Sequence, residues 1–212
     1  MLVSFSAELS PECHRDVLRL TNLLLSDNRP FVRNVHPAYT TVLVSFDPMA
    51  VSFNVAEEYV RSSLEKADEL TLPPPRTMTI PVCYGGDFGP DLDGVASHNN
   101  LSTEEVIRIH SSAEYTVYFL GFSPGFPYMG GMPENIATPR LPNPRTKTPV
   151  GSVAIGGRQT GIYPTNTPGG WRIIGRTPLK LFRPDESQPT FLLMGDQVRF
   201  DPVSAKEFQE LV

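Results

Sequence analysis

Apolar and polar positions follow clear rhythms through the first third of the chain. Val3, Phe5 and Ala7 alternate with polar partners, the period of a half-buried strand. Ser10 precedes Pro11 and Glu12, an N-cap followed by proline at the first helical position. Cys13, Val17, Leu20 and Leu24 then recur on one helical face. Phe31 to Val35 and Thr40 to Phe46 read as strands joined by a turn around His36-Pro37. A second helix is predicted from Asn54 to Leu70, with Tyr59, Val60, Leu64 and Ala67 on one face. A strand at Met78 to Val82 completes a β-α-β-β-α-β order, the ferredoxin-like split βαβ pattern. The same strand could equally open a second domain.

The rhythm then changes. All 16 glycines lie at or beyond Gly85, and Leu72-Pro73-Pro74-Pro75-Arg76 forms a stiff step. The boundary is placed there, with an α/β domain over residues 1–75 and a β-barrel domain over 76–212. A short helix is expected near Asp91. Ser102-Thr103-Glu104-Glu105 is a capping box that opens a helix carrying Val106, Ile109, His110 and Ala113 on one face. Short strands follow at Tyr115–Phe122, Ser152–Ile155, Trp171–Gly175, Leu179–Phe182, Thr190–Leu193 and Gln197–Phe200. Gly- and Pro-rich loops between them point to a closed or nearly closed barrel. The fold class is therefore α+β.

Composition narrows the function. A net charge of -5 provides no basic surplus for nucleic acid. Two cysteines cannot form a disulfide framework or an all-cysteine zinc site. The uncharged run Tyr115–Pro133 contains three prolines and four glycines, which rules against a membrane helix. A soluble, cytoplasmic protein is expected.

Gly121-Phe122-Ser123-Pro124-Gly125 matches the pattern of a hydrolase nucleophile elbow. Pro124 has no N–H to give an oxyanion, and every histidine precedes Ser123, so the match carries no triad. No metal-ligand spacing is present, and Asp91-Leu92-Asp93-Gly94 reads as a helix start rather than a calcium loop. His110 lies on an apolar helix face, with Glu114 one turn on to fix its tautomer. Trp171, the sole tryptophan, suits a pocket wall or a core plug equally. Arg140 and Arg145, in a proline-stiffened loop, suit a carboxylate, a phosphate or an acidic surface.

His110-Ser111-Ser112-Ala113-Glu114-Tyr115 and Phe119-Leu120-Gly121-Phe122-Ser123-Pro124-Gly125-Phe126-Pro127-Tyr128 resemble the KipI family. The resemblance continues through Thr138-Pro139-Arg140, Pro149 to Gly157, Gln159 to Pro164 and Pro168 to Trp171. That family includes the B subunit of prokaryotic 5-oxoprolinase and is also labelled allophanate hydrolase subunit 1. Its members begin with an extra strand around a Gly-Asp or Gly-Glu turn, and that first strand is expected to be missing here.

The resemblance implies a cyclophilin-like barrel and two roles. In the first, the chain works with a KipA-like C subunit plus an A subunit to open the lactam of 5-oxo-L-proline to L-glutamate, using ATP, and is inactive alone. In the second, it inhibits a sensor histidine kinase. The further alternative is a carboxyltransferase or allophanate-hydrolase type of subunit that works on a small amide. No metal or biotin is expected in this chain.

On that footing the Ser123–Tyr128 loop, the Arg140–Arg145 loop and the Gly156–Tyr163 hairpin are expected to converge on one concave face. Ser123, Tyr128, Arg140, Arg145, Gln159, Thr160, Tyr163 and Trp171 are the expected substrate-binding residues. Gly156, Gly157 and Gly161 are expected to offer backbone N–H groups to nucleotide. His110 and Glu114 are expected beneath the face as catalytic or supporting groups.

Overall fold

The computed structural model describes residues 1–212, which divide into two compact units, Met1–Pro74 and Pro75–Val212. The first contains β1 (Leu2–Ser4), α1 (Pro11–Asp27), β2 (Val32–Pro37), β3 (Thr41–Phe46) and α2 (Phe53–Asp68). The Ser10 hydroxyl accepts the Cys13 N–H at 3.1 Å and starts α1, and Asn28 ends it in the left-handed region at φ 45°. The predicted face is the one that packs: Val17, Leu20 and Leu24 of α1 meet Val35, Val42, Val44 and Val60.

Its sheet has three antiparallel strands in the order β1-β3-β2, so the four-stranded ferredoxin-like sheet is not formed. The strand expected to complete it, β4 (Thr77–Tyr84), begins the barrel instead. Ile80 and Val82 explain why, because both are fully buried among the barrel's own apolar side chains.

The second unit continues with α3 (Leu92–His98), α4 (Thr103–Ser112), β5 (Tyr115–Leu120), β6 (Pro127–Gly130) and β7 (Arg145–Thr148). Then follow β8 (Ser152–Gly156), β9 (Gln159–Ile162), β10 (Thr167–Gly169), β11 (Arg172–Arg176), β12 (Gln197–Pro202) and α5 (Ala205–Glu210). Seven strands close in the order β11-β4-β12-β5-β6-β9-β8, while β7 and β10 form a separate two-stranded ribbon. The Ser102–Glu105 capping box is made from both sides, at 3.2 and 2.8 Å.

Two expected strands are absent. Leu179–Phe182 and Thr190–Leu193 are joined only by the bridge Phe182–Thr190, although Leu181 and Leu192 are buried. They plug the barrel as loop, and an apolar run reports burial more faithfully than it reports pairing.

Strand alternation sorts the barrel residues onto two sides. Met129, Val153, Ile155 and Ile174 face the interior core. Their immediate neighbours Tyr128, Ala154 and Ile173 belong to a second cluster with Phe126, Tyr163 and Trp171. That second cluster therefore lies on the outer wall, over β6, β8, β9 and β11.

Candidate functional site

The outer-wall cluster is aromatic. Phe126 sits at its centre, with ring centroids 5.0 Å from Tyr128, 5.1 Å from Tyr163 and 5.5 Å from Trp171, all edge-to-face. Phe119 stacks on Tyr128 at 4.5 Å. Glycines make this packing possible. A Cβ on Gly156 would lie 2.5 Å from the Trp171 ring, and one on Gly161 would lie 2.9 Å from Phe126.

The Gly121–Phe126 loop borders the cluster. Phe122 holds φ +65°, a conformation rare for a bulky residue, and is 62% exposed. Its ring meets Phe126 at 5.6 Å and Tyr163 at 6.4 Å. The loop closes on itself through Ser123 N–H to Gly121 O at 2.7 Å and Phe126 N–H to Ser123 O at 3.0 Å. It lines an open depression of about 370 Å³ bounded by Leu120 to Gly125. The Ser123 hydroxyl oxygen is buried there without a partner. Backbone strain and an unsatisfied polar atom together mark a ligand-contact segment.

Arg140 reaches the same wall, its guanidinium carbon 5.6 Å from the Trp171 ring centre. Burial raises the pKa of the Tyr128 hydroxyl, and the charge of Arg140 pulls it back. Burial likewise raises Tyr163, opposed by the Trp171 backbone N–H, then by Arg140, with Arg145 also lowering it. Leu141 N–H to Gly170 O at 2.6 Å and Thr138 N–H to Gly157 O at 3.2 Å fasten this loop beside the glycine hairpin.

The structure thus brings Tyr128, Arg140, Tyr163 and Trp171 together, with Ser123 at one border and Arg145 at the other. Gln159 shares the strand side of Gly161, two residues along β9. The wall is an open outer face with a depression at its edge rather than one concave pocket.

Four expectations are corrected. His110 is wholly buried inside the barrel, stacked on Phe200 at 4.5 Å. Its Nδ1 accepts from the Tyr84 hydroxyl at 2.8 Å, and its Nε2 donates to Thr160 Oγ1 at 3.0 Å. Thr160 in turn donates to Ala154 O at 3.1 Å, which fixes that tautomer. Burial pushes the His110 pKa down to about 3, so this neutral, fully bonded ring braces α4 against the strands.

Glu114 does not touch His110; it accepts from Arg199 at 2.9 and 2.6 Å near the surface. Helical spacing fails for this pair because α4 ends at Ser112. Thr160 faces inward to His110 and is not a substrate contact. The glycines form no phosphate cradle, because Gly157 N–H donates to Thr138 O at 2.8 Å while Gly156 and Gly161 lie under aromatic rings.

Phe122, Phe126 and Phe119 escaped the sequence reading as individual site residues. Their signal is four aromatics among ten residues, Phe119 to Tyr128, interspersed with glycine and proline. Asp91 was missed because a helix-start aspartate has an ordinary explanation.

The profile of the carboxyltransferase domain, subdomain C and D, matches residues 1–192. The chain belongs to this family. Among its relatives, the 5-oxoprolinase B subunit of Bacillus subtilis is 44% identical over 98% of this chain and 91% of its own length. The protein of the same name from Escherichia coli O157:H7 is 56% identical over 61% of this chain, a match that spans 60% of that relative. A solved structure from Pyrococcus horikoshii, titled a conserved uncharacterized protein PH0987, is 46% identical with TM-score 0.61, covering 98% of this chain and 95% of that one. The outer aromatic wall is thus a feature of a carboxyltransferase-domain chain, whose mixed α/β fold includes a closed seven-stranded barrel.

Proposed function

We propose that this chain is the B subunit of an ATP-dependent 5-oxoprolinase that opens 5-oxo-L-proline to L-glutamate. The observation that carries the reading is the near full-length match, at 44% identity, to a relative of that name. The outer wall supports it. A flat five-membered lactam suits an aromatic floor, and its carboxylate suits a guanidinium beside that floor. The barrel is read as cyclophilin-like, which carries no isomerase function by itself.

The chain's part is to bind and orient. Phe126, Tyr128, Tyr163 and Trp171 would hold the ring and exclude water, Arg140 would hold the carboxylate, and the Ser123 hydroxyl would meet the amide. Opening the lactam needs attack on its carbonyl carbon and protonation of the ring nitrogen. His110 does neither, being sealed inside the barrel. The hairpin glycines do not fit a phosphate chain, so no ATP step is assigned to this wall.

The partners follow as a KipA-like C subunit plus an A subunit, in the cytoplasm. No helix is long and apolar enough to cross a membrane. The kinase-inhibitor and carboxyltransferase alternatives draw no support from the relatives that match most of the chain.

The test is glutamate release from 5-oxoproline and ATP, with this chain alone and with both other subunits. Turnover is expected only in the reconstituted mixture. Turnover by the chain alone, or none in the mixture, would overturn the reading.

A further inference from the structure

Arg145 carries a guanidinium nitrogen, Nη1, that is buried and has no acceptor. Its other terminal nitrogen, Nη2, donates to Asp91 Oδ1 at 2.6 Å. Asp91 is itself fixed from both sides. Its Oδ2 accepts the Ile173 N–H at 2.7 Å, and its own N–H donates to Ile173 O at 2.9 Å. Although it precedes α3, its side chain makes no helix cap. The carboxylate is spent entirely on β11 and on Arg145.

Arg145 begins β7 and pairs across the ribbon with Gly169. The Tyr163 hydroxyl lies 2.4 Å from where a Gly169 Cβ would stand, so Tyr163 reaches the ribbon opposite Arg145. Both Arg140 and Arg145 act electrostatically on Tyr163. One end of the aromatic wall therefore gathers two guanidiniums and one carboxylate, leaving a single net positive charge. A buried guanidinium donor without an acceptor is unfavourable until an acceptor arrives.

We propose that the Arg140–Arg145 end of the outer wall is a subsite for a monocarboxylate, in which Arg145 Nη1 is a direct ligand and Asp91 is the positioning residue that sets its guanidinium plane. A single net charge balances one carboxylate and falls short of a phosphate dianion. The neighbouring hairpin adds no donor, since the Gly157 N–H is already bonded to Thr138 O. The aromatic floor requires the carboxylate to be attached to a small flat ring. The subsite rests on the lactam reading only for the identity of that ring.

The test is direct binding to the full chain, read by the emission of Trp171 and by calorimetry. The probes are 5-oxoproline, 2-pyrrolidinone (the same ring without carboxylate), cyclopentanecarboxylate (a ring with carboxylate but no lactam) and inorganic phosphate. Both carboxylates are expected to bind at least tenfold more tightly than 2-pyrrolidinone or phosphate. Asp91→Asn is expected to weaken both carboxylates about tenfold and to leave 2-pyrrolidinone unchanged, a selectivity that a purely structural role for Asp91 would not move. Asp91→Glu is expected to restore part of it, and near-UV circular dichroism verifies that each variant is folded.

Equal binding of 5-oxoproline and 2-pyrrolidinone, tighter binding of phosphate, or no carboxylate binding would overturn the subsite. An unchanged carboxylate preference in folded Asp91→Asn would overturn the positioning role. Binding of cyclopentanecarboxylate without 5-oxoproline would keep the subsite and remove the lactam reading.

Discussion

The guanidinium carbon of Arg140 lies 5.6 Å from the ring centre of Trp171. Arg140 is exposed, so the contact adds about 0.5–1 kcal/mol at most to the fold. Its value lies in presenting a cation at the aromatic wall. Arg140→Ala is expected to abolish reconstituted turnover while changing unfolding free energy by about 0.5 kcal/mol or less. Because Trp171 is the only tryptophan, its emission should shift in the same variant without any extrinsic label.

Phe122 supplies a ring at the cost of a left-handed backbone. Phe122→Gly removes strain of about 1–2 kcal/mol and adds about 0.5–1 kcal/mol of backbone entropy cost. Stability should therefore hold or rise slightly, while turnover falls with the loss of the ring. Phe122→Ala keeps the strain and loses the ring, so it should be the less stable of the two and equally impaired. Urea midpoints and glutamate release measure both.

Adjacent glycines should respond differently. Gly156→Ala drives a methyl into the Trp171 ring and is expected to cost about 1–3 kcal/mol and to disturb the tryptophan emission. Gly157→Ala has open space around its Cβ but φ +64°, so it should cost only about 1–2 kcal/mol of backbone strain and keep its activity. Loss of nucleotide-dependent turnover in folded Gly157→Ala would restore the phosphate reading of the hairpin.

His110 should make the barrel acid-sensitive. Its folded pKa of about 3 lies below the ordinary value of 6.5, so the unfolded chain binds more protons between the two. Stability therefore falls as pH drops through that window, by up to about 1.4 kcal/mol per pH unit for one proton. His14, lowered to about 4 by burial in the first unit, acts in the same direction over a narrower window. His110→Gln can still accept from Tyr84 and donate to Thr160, and should flatten the slope by close to one proton. Urea unfolding from pH 4 to 7, followed by Trp171 emission, reads the barrel alone.

Local chemistry was legible wherever one or two residues decide an outcome. Ser10 and Ser102 place their helix starts, and the α1 and α2 faces pack as their spacing implies. The Arg140 loop, the Tyr128 segment and Trp171 do meet. What failed depended on partners distant in sequence. The Met78–Val82 strand alternates well enough for either sheet, and only its pairing with β11 and β12 assigns it to the barrel. The inward or outward sense of β9 is likewise set by register, which sends Thr160 to His110 and leaves Gly161 under Phe126. Phe122 has no sequence signature at all, because positive φ in a phenylalanine is imposed by its surroundings.

The parallel pairing of β4 with β12 has a consequence for synthesis. Residues Thr77–Val82 lie alongside Gln197–Pro202, so the first barrel strand must wait for the last before the cylinder can shut. A nascent chain emerging from the ribosome can complete the Met1–Pro74 unit early. The barrel strands, by contrast, spend more than a hundred residues of translation with an open edge, at roughly 5–20 residues per second. Such long-range closure makes for slow folding and a window in which chaperones would be needed.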